Sequence, residues 1–246
     1  MSYKIKKVAV LGSGVMGSGI ACHLANVGID VLMLDIVPKD LEKGKSRNVV
    51  ADESLARLVK SRPNPIYNKE FLKRIKTGNF DDDFEKISSA DWIIEVVVEN
   101  LEIKKQIFEK VEKYKSKDSF VSSNTSSIPI NLLCEGRSKD FKKNFCGTHF
   151  FNPARYMRLL EIIPQAETDS KLIEFLMEFG DITLGKQTVL CKDTPAFIAN
   201  RIGVMSGIKL LQLTDKYDFN IEEVDLMTGP VIGHPRSGTY RLQDLV

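Results

Sequence analysis

Gly12, Gly14 and Gly17, spaced G-x-G-x-x-G, restrict the fold of this chain more than any other feature. Residues 8–11 before them are apolar without interruption, as in a strand buried on both faces of a parallel sheet. Residues 18–27 after them carry a helical apolar pattern that stops at Gly28, and a second apolar run, 31–34, ends in Asp35. Each residue has a physical use. Gly12 allows the tight turn, Gly14 lets a pyrophosphate approach the backbone, and Gly17 lets helix and strand pack closely. The helix N-terminus offers free N–H groups and partial positive charge to the phosphates. Asp35 can accept hydrogen bonds from an adenosine ribose, and its charge repels a 2′-phosphate, which favours NAD over NADP. The alternative, three glycines in an ordinary loop, leaves the flanking strand, helix and acid without a reason.

A chain of 246 residues suits one large domain, or one with a smaller companion. Its 35 basic and 33 acidic residues are well mixed and nearly cancel, which points away from nucleic acid and membrane surfaces. Cys22, Cys134, Cys146 and Cys191 are scattered, form no C-x-x-C pair, and read as reduced thiols of a cytoplasmic protein; no metal site is expected. The first strand follows Met1 too closely for a signal peptide, and no apolar run reaches membrane-spanning length.

Farther along, residues 39–60 read as a charged helix, with Leu55, Leu58 and Val59 as its apolar stripe. Two prolines break the stretch 61–67, and Asn68 is placed to cap a short helix over 69–76. This segment reads as an inserted helical arm or, equally, a plain surface excursion. Strands are predicted at 92–98 (interrupted only by Glu95), 120–121, 144–151, 159–163 and 185–191, and helices at 103–114, after the polar turn 122–129, and at 170–179. Such alternation predicts an α/β, Rossmann-type doubly wound and mostly parallel sheet with helices on both faces. Residues 1–192 form that domain. Residues 193–246 change character, with a long helix over 194–213, Pro195 in its first turn, and a shorter one at 221–227.

Ligands of such sheets sit beyond the carboxyl ends of the strands. Glu99-Asn100, the turn 123–126 and His149 all fall there. Of the other histidines, His23 reads as a packing or surface residue and His234 lies in a Gly-His-Pro turn. Glu161 stands inside the apolar run Leu159-Leu-Glu-Ile-Ile, where an isolated buried charge is too costly. Two readings remain. Either Glu161 pairs with His149 and orients its imidazole, or Glu161 faces water on an edge strand and His149 is satisfied by backbone.

Seven motifs, in order, resemble the NAD-binding region of L-3-hydroxyacyl-CoA dehydrogenases, found alone or within multifunctional fatty-acid β-oxidation proteins. They are Gly12-Ser-Gly-Val-Met-Gly, Asp35, Val97-Val-Glu-Asn-Leu with Lys104, Ser123-Asn-Thr-Ser-Ser, His149-Phe-Phe-Asn-Pro, Leu160-Glu-Ile, and Lys192-Asp-Thr-Pro-Ala-Phe-Ile-Ala-Asn-Arg. The resemblance covers essentially the whole chain. It implies His149 as catalytic base with Glu161 as its partner, and Ser126 and Asn200 against the substrate's 3-oxygen or adjoining acyl group. It implies Gly12, Gly14, Met16, Gly17, Asp35, Val97, Val98, Glu99, Lys104, Ser126 and Asn152 around NAD. Ser126 also suits a helix N-cap ahead of Ile128-Pro-Ile, a role compatible with the first.

The implied reaction is oxidation of an L-3-hydroxyacyl-CoA to the 3-ketoacyl-CoA, with an acyl-CoA substrate and a homodimer formed through a helical domain. Only the start of that domain is expected within this sequence, and the arm between Asp35 and Asn68 is short beside the family's. Two other readings follow: a module that holds NAD without turnover, and a dehydrogenase of a free hydroxy acid.

Overall fold

The computed structural model describes residues 3–244. The chain divides into two compact units, one ending at Phe197 and one beginning at Ile198.

The first unit is built on an eight-stranded sheet in the order β3-β2-β1-β4-β5-β6-β7-β8. Its strands are β1 (Lys7–Leu11), β2 (Asp30–Asp35), β3 (Ile75–Asn79), β4 (Trp92–Glu95), β5 (Phe120–Ser123), β6 (Phe145–Phe150), β7 (Leu159–Pro164) and β8 (Gln187–Leu190). The first six run parallel in the order 3-2-1-4-5-6 of a dinucleotide-binding sheet. The order reverses direction between β1 and β4, the switch point at which such sheets bind their ligands beyond the strands' carboxyl ends.

Helices cover both faces. α1 (Val15–Asn26) is buried from Gly17 to Ala25, as its apolar composition requires. It shares one core face with α2 (Val49–Lys60) and α6 (Ser170–Glu178). α3 (Leu101–Tyr114) is amphipathic and buries Ile107, Phe108 and Val111 on the other face, beside α4 (Ile130–Leu133) and α5 (Lys139–Lys143).

Three expectations need correction. The helix predicted over 39–60 begins only at Val49, because Gly44 takes φ +92°, which no right-handed helix contains. Asn68 does cap a turn, accepting from the Glu70 amide at 3.0 Å, but that turn is a 3₁₀ helix (Lys69–Arg74) leading straight into β3. β3 is an edge strand of sequence Ile-Lys-Thr-Gly-Asn, too polar to announce itself. The sheet is mostly parallel, as expected; its one antiparallel pairing among the described residues is β6 with β7, and β8 follows β7 in parallel. Finally, no helix begins at residue 194. Ala196 (φ 61°) and Phe197 (φ 49°) are both left-handed, and Phe197 donates its amide to the Thr194 carbonyl, so α7 (Ala199–Tyr217) starts later.

The second unit holds α7, α8 (Ile221–Met227) and α9 (Tyr240–Gln243). Asn220 and Glu223 form a reciprocal capping box at the start of α8, and the Thr214 hydroxyl meets Tyr240 Oη at 2.7 Å. Among the described residues no helix is long and apolar enough to cross a membrane, and no group of three or more His, Cys, Asp or Glu side chains is arranged to hold a metal.

Candidate functional site

The glycine turn lies at the carboxyl end of β1, against the backbone leaving β4. A Cβ on Gly12 would come within 2.5 Å of the Val96 carbonyl oxygen, and one on Gly17 within 1.9 Å of the Gly12 oxygen. Neither position admits a side chain. Gly14 is the opposite case, because nothing lies within 4 Å of the place its Cβ would take. Gly14 is also the N-cap of α1, no side chain caps that end, and its first turn carries no acid. Free amides, a positive helix end and an open approach are what a pyrophosphate needs. Asp35 closes β2 nearby; its Oδ2 accepts from the Ser13 amide at 2.5 Å and hydroxyl at 2.6 Å, and its Oδ1 from the Ile36 amide at 2.7 Å. The carboxylate is thus tied to the turn itself. Met16 is half-buried at the start of α1.

A second polar group gathers where β4 ends. Glu95, fully buried, accepts from Lys104 Nζ at 2.6 Å, the Val97 amide at 2.7 Å and the Ser123 hydroxyl at 2.5 Å. Lys104, 1% exposed, also reaches the Glu99 carboxylate at 3.2 Å and the Val97 carbonyl at 3.2 Å. Glu99 in turn accepts from the Thr125 hydroxyl at 2.5 Å and the amides of Ser126 (3.0 Å) and Ser127 (3.2 Å). Burial works against the Glu99 carboxylate, but the Thr125 hydroxyl and the Lys104 ammonium outweigh it and hold its pKa at about 2. Deep burial instead pushes the Glu95 carboxyl above its ordinary range against the pull of Lys104. Ser126, more than twenty residues on, is thereby brought to Lys104 and Glu99. Val97 is half-buried and Val98 is exposed in the same loop.

His149 and Glu161 face each other across the β6–β7 ladder as directly opposed residues. Nδ1 of His149 lies 2.8 Å from Glu161 Oε2 in a setting where Glu161 is fully buried and His149 is 5% exposed. The edge-strand alternative fails, because β8 covers the far side of β7. Rings of Phe151 (4.3 Å) and Phe197 (5.7 Å) flank the imidazole. Nε2 has no hydrogen-bond partner among the described residues and is not among the buried unpartnered atoms, so it faces accessible space. Asn152, three residues on, is exposed at the start of the β6–β7 loop. Asn200 lies in the first turn of α7, in the second unit.

His23 is a packing residue on α1: its Nε2 meets the Leu184 carbonyl at 3.0 Å and its Nδ1 is buried without a partner. Burial foremost, with help from Lys186, lowers its pKa to about 4.

Four contributors to this region escape a reading of the sequence. Glu95 carried the same signal as Glu161, an acid inside an apolar run, and its partner sits nine residues on. Asn124 accepts from the Phe150 amide at 2.8 Å and so links the β5 turn to the strand of His149. Lys186, buried, donates to the carbonyls of Ala154 and Met157 (2.7 Å to the latter) and closes the β6–β7 loop. Asp193 accepts from the amides of Ile130 (2.7 Å) and Asn131 (2.9 Å), capping α4 just after the Ser126 turn. The last three act through backbone contacts that no spacing rule encodes.

Residues 7–194 match the family described as 3-hydroxyacyl-CoA dehydrogenase, NAD binding domain. The chain belongs to that family. It is 51% identical over 257 aligned residues to a "Probable 3-hydroxyacyl-CoA dehydrogenase" of Bacillus subtilis, covering all of this chain and 33% of the relative. A protein of the same name from Deinococcus radiodurans is 46% identical, with 98% of this chain and 69% of the relative covered. The chain therefore spans a third of the first relative's length and about two thirds of the second's. Among solved structures, FadB2 of M. tuberculosis superposes with a TM-score of 0.80 at 29% identity, over 98% of this chain and 82% of that one. (S)-3-hydroxybutyryl-CoA dehydrogenase PaaH1 of Ralstonia eutropha gives 0.79, also at 29%, with the same coverage.

NAD is the cofactor of this family's domain, and the residues here fit it. The open space over Gly14, the uncapped end of α1 and the acid closing β2 are the three features a dinucleotide requires.

Proposed function

We propose that the chain catalyses NAD-dependent oxidation of an L-3-hydroxyacyl-CoA to the 3-ketoacyl-CoA, as a step of fatty-acid β-oxidation. The observation that carries this reading is the His149–Glu161 pair at 2.8 Å with Nε2 left open. Bound NAD would supply the hydride acceptor.

An ionised Glu161 can only accept, which places the shared proton on Nδ1 of His149 and the lone pair on Nε2. In oxidation Nε2 takes the hydroxyl proton of the substrate, and the buried carboxylate stabilises the imidazolium that results. In reduction the same imidazolium returns the proton to the ketone oxygen. Ser126 holds the reacting oxygen, and the Phe151 and Phe197 rings keep water from the imidazole's flanks; Asn200 is assigned to the substrate by the family resemblance. Glu99, Lys104, Val97, Val98 and Asn152 would border the cofactor, and Gly14 and the N-terminal end of α1 would hold its phosphates. The apolar residues exposed along α7, among them Ile202, Met205 and Ile208, suit a homodimer, which sedimentation would read directly.

The test is His149→Ala, assayed for acetoacetyl-CoA-dependent NADH oxidation beside NADH binding. Turnover should fall about a thousandfold with NADH affinity nearly unchanged. Equal rates in variant and parent would remove His149 from the reaction, and NADH binding without any turnover in the parent would leave only a cofactor-binding module. Free 3-hydroxybutyrate outperforming its CoA thioester would point to a hydroxy-acid dehydrogenase instead.

A further inference from the structure

The reaction described above makes no use of Glu95, although it is fully buried and ionisable. Its carboxylate spends both oxygens on three donors from three segments: Lys104 from α3, Ser123 from the end of β5, and the Val97 amide from its own loop. From two of these donors, Lys104 and Ser123, a second contact runs outward to the site. Lys104 reaches Glu99, and Glu99 gathers Thr125, Ser126 and Ser127. Ser123 Oγ accepts from the Thr125 amide at 3.2 Å. The Glu95 carbonyl accepts from the Asn124 amide at 2.8 Å, and Asn124 holds the Phe150 amide beside His149.

Two acids and one lysine leave the cluster one negative charge in excess, and Lys104 alone prevents Glu95 and Glu99 from repelling each other. Lys104 is 1% exposed, and its contacts to Glu95, Glu99 and Val97 direct its donors inward. A structural salt bridge needs one partner on each side. Here the buried acid is a hub, and the groups it orders are those that line the cleft.

We propose that Glu95 is a positioning residue for the cofactor site: its carboxylate anchors Lys104 and Ser123, and through them sets the Glu99–Ser126 turn. The proposal rests on the reading of Glu99 and Ser126 as cofactor-site groups. Glu95→Gln keeps the shape and removes the charge that Lys104 answers to, so Lys104 is drawn toward Glu99 and the turn shifts.

The experiment compares parent, E95Q, S123A and E99Q as the whole 246-residue chain, using NADH itself as the probe. Readouts are the NADH dissociation constant, kcat and KM with acetoacetyl-CoA, and Tm. E95Q should weaken NADH binding roughly tenfold, the scale of one hydrogen bond to a charged group. S123A, which removes one anchor without changing charge, should weaken it about threefold. Parental NADH affinity in E95Q overturns the proposal, as does a fall in Tm with parental affinity and turnover, since that is a structural role only. Should E95Q fail to fold, S123A decides by the same criterion. E99Q separates the two layers of argument. Parental affinity in both E99Q and E95Q counts against the cofactor-site reading as well, whereas a weakened E99Q beside a parental E95Q removes Glu95 alone. A parent that binds NADH but turns nothing over sinks the proposed activity and leaves this binding test intact.

Discussion

Glu95 and Glu161 are the same residue in the same kind of place, an acid inside an apolar strand with no exposure to solvent. What surrounds them differs. Glu95 meets an ammonium and two further donors, which occupy both of its oxygens. Glu161 meets an imidazole, which has a second nitrogen, and that nitrogen looks outward. Lysine has only donors and here binds two carboxylates, whereas histidine can offer a second nitrogen to a substrate. Burial of a carboxylate therefore marks importance without saying which kind; the partner's chemistry decides.

The largest expected effect falls on the pair with the open end. His149→Ala should cost about a thousandfold in turnover, and Glu161→Gln about a hundredfold, since Nδ1 then loses its charged acceptor while the ring stays in place. Equal damage to turnover from a Glu95 variant would erase the contrast between the two acids.

The Glu95–Lys104 pair can be tested by replacing both members together. E95M/K104M removes a buried ion pair as a unit, a change that commonly leaves stability level or higher. Tm should hold or rise by a few degrees, while NADH binding weakens roughly tenfold because Glu99 loses Lys104. Calorimetry beside NADH titration checks both halves. A large loss of Tm would mean that the Glu95 cluster serves the fold first.

His23 sharpens the comparison as a buried histidine with no carboxylate at all. Its pKa of about 4 lies below that of the unfolded chain, so the folded form resists protonation. Stability should be full above about pH 6.5 and fall as the pH drops toward 4, by about 3 kcal/mol at most. His23→Leu should flatten that slope in denaturant titrations across the window. An unchanged slope would assign the acid sensitivity elsewhere.

The smallest effect expected is local. Ala196 sits at φ 61°, a conformation glycine adopts freely and alanine does not. Ala196→Gly should raise stability by about 1 kcal/mol, or about 2–4 °C in Tm. No change would mean that the turn beside His149 has relaxed onto its alanine.

Much of this was legible in the residue order. The glycine turn, α1 and β2 follow from local rules: apolar runs seek burial, glycine permits the turn, and an acid at a strand end is placed for a ribose. The His149–Glu161 pair was legible as one of two options, because burial forbids a lone charge. β3 was not, since an edge strand needs little apolar surface. The start of α7 was not either, because two left-handed residues after Pro195 contradict the helical preference of their sequence.

By itself, then, the sequence determined most of the segments that lie in the core, the α/β class and the cofactor turn, all set by short-range pattern and side-chain type. Only tertiary structure decided that β7 runs against β6, which puts Glu161 directly opposite His149, and that Lys104 folds back onto Glu95. Such choices depend on contacts between distant segments. Their energies come from matching donors to acceptors in a water-poor interior, where a missing partner is costly and no local rule records which partner arrives.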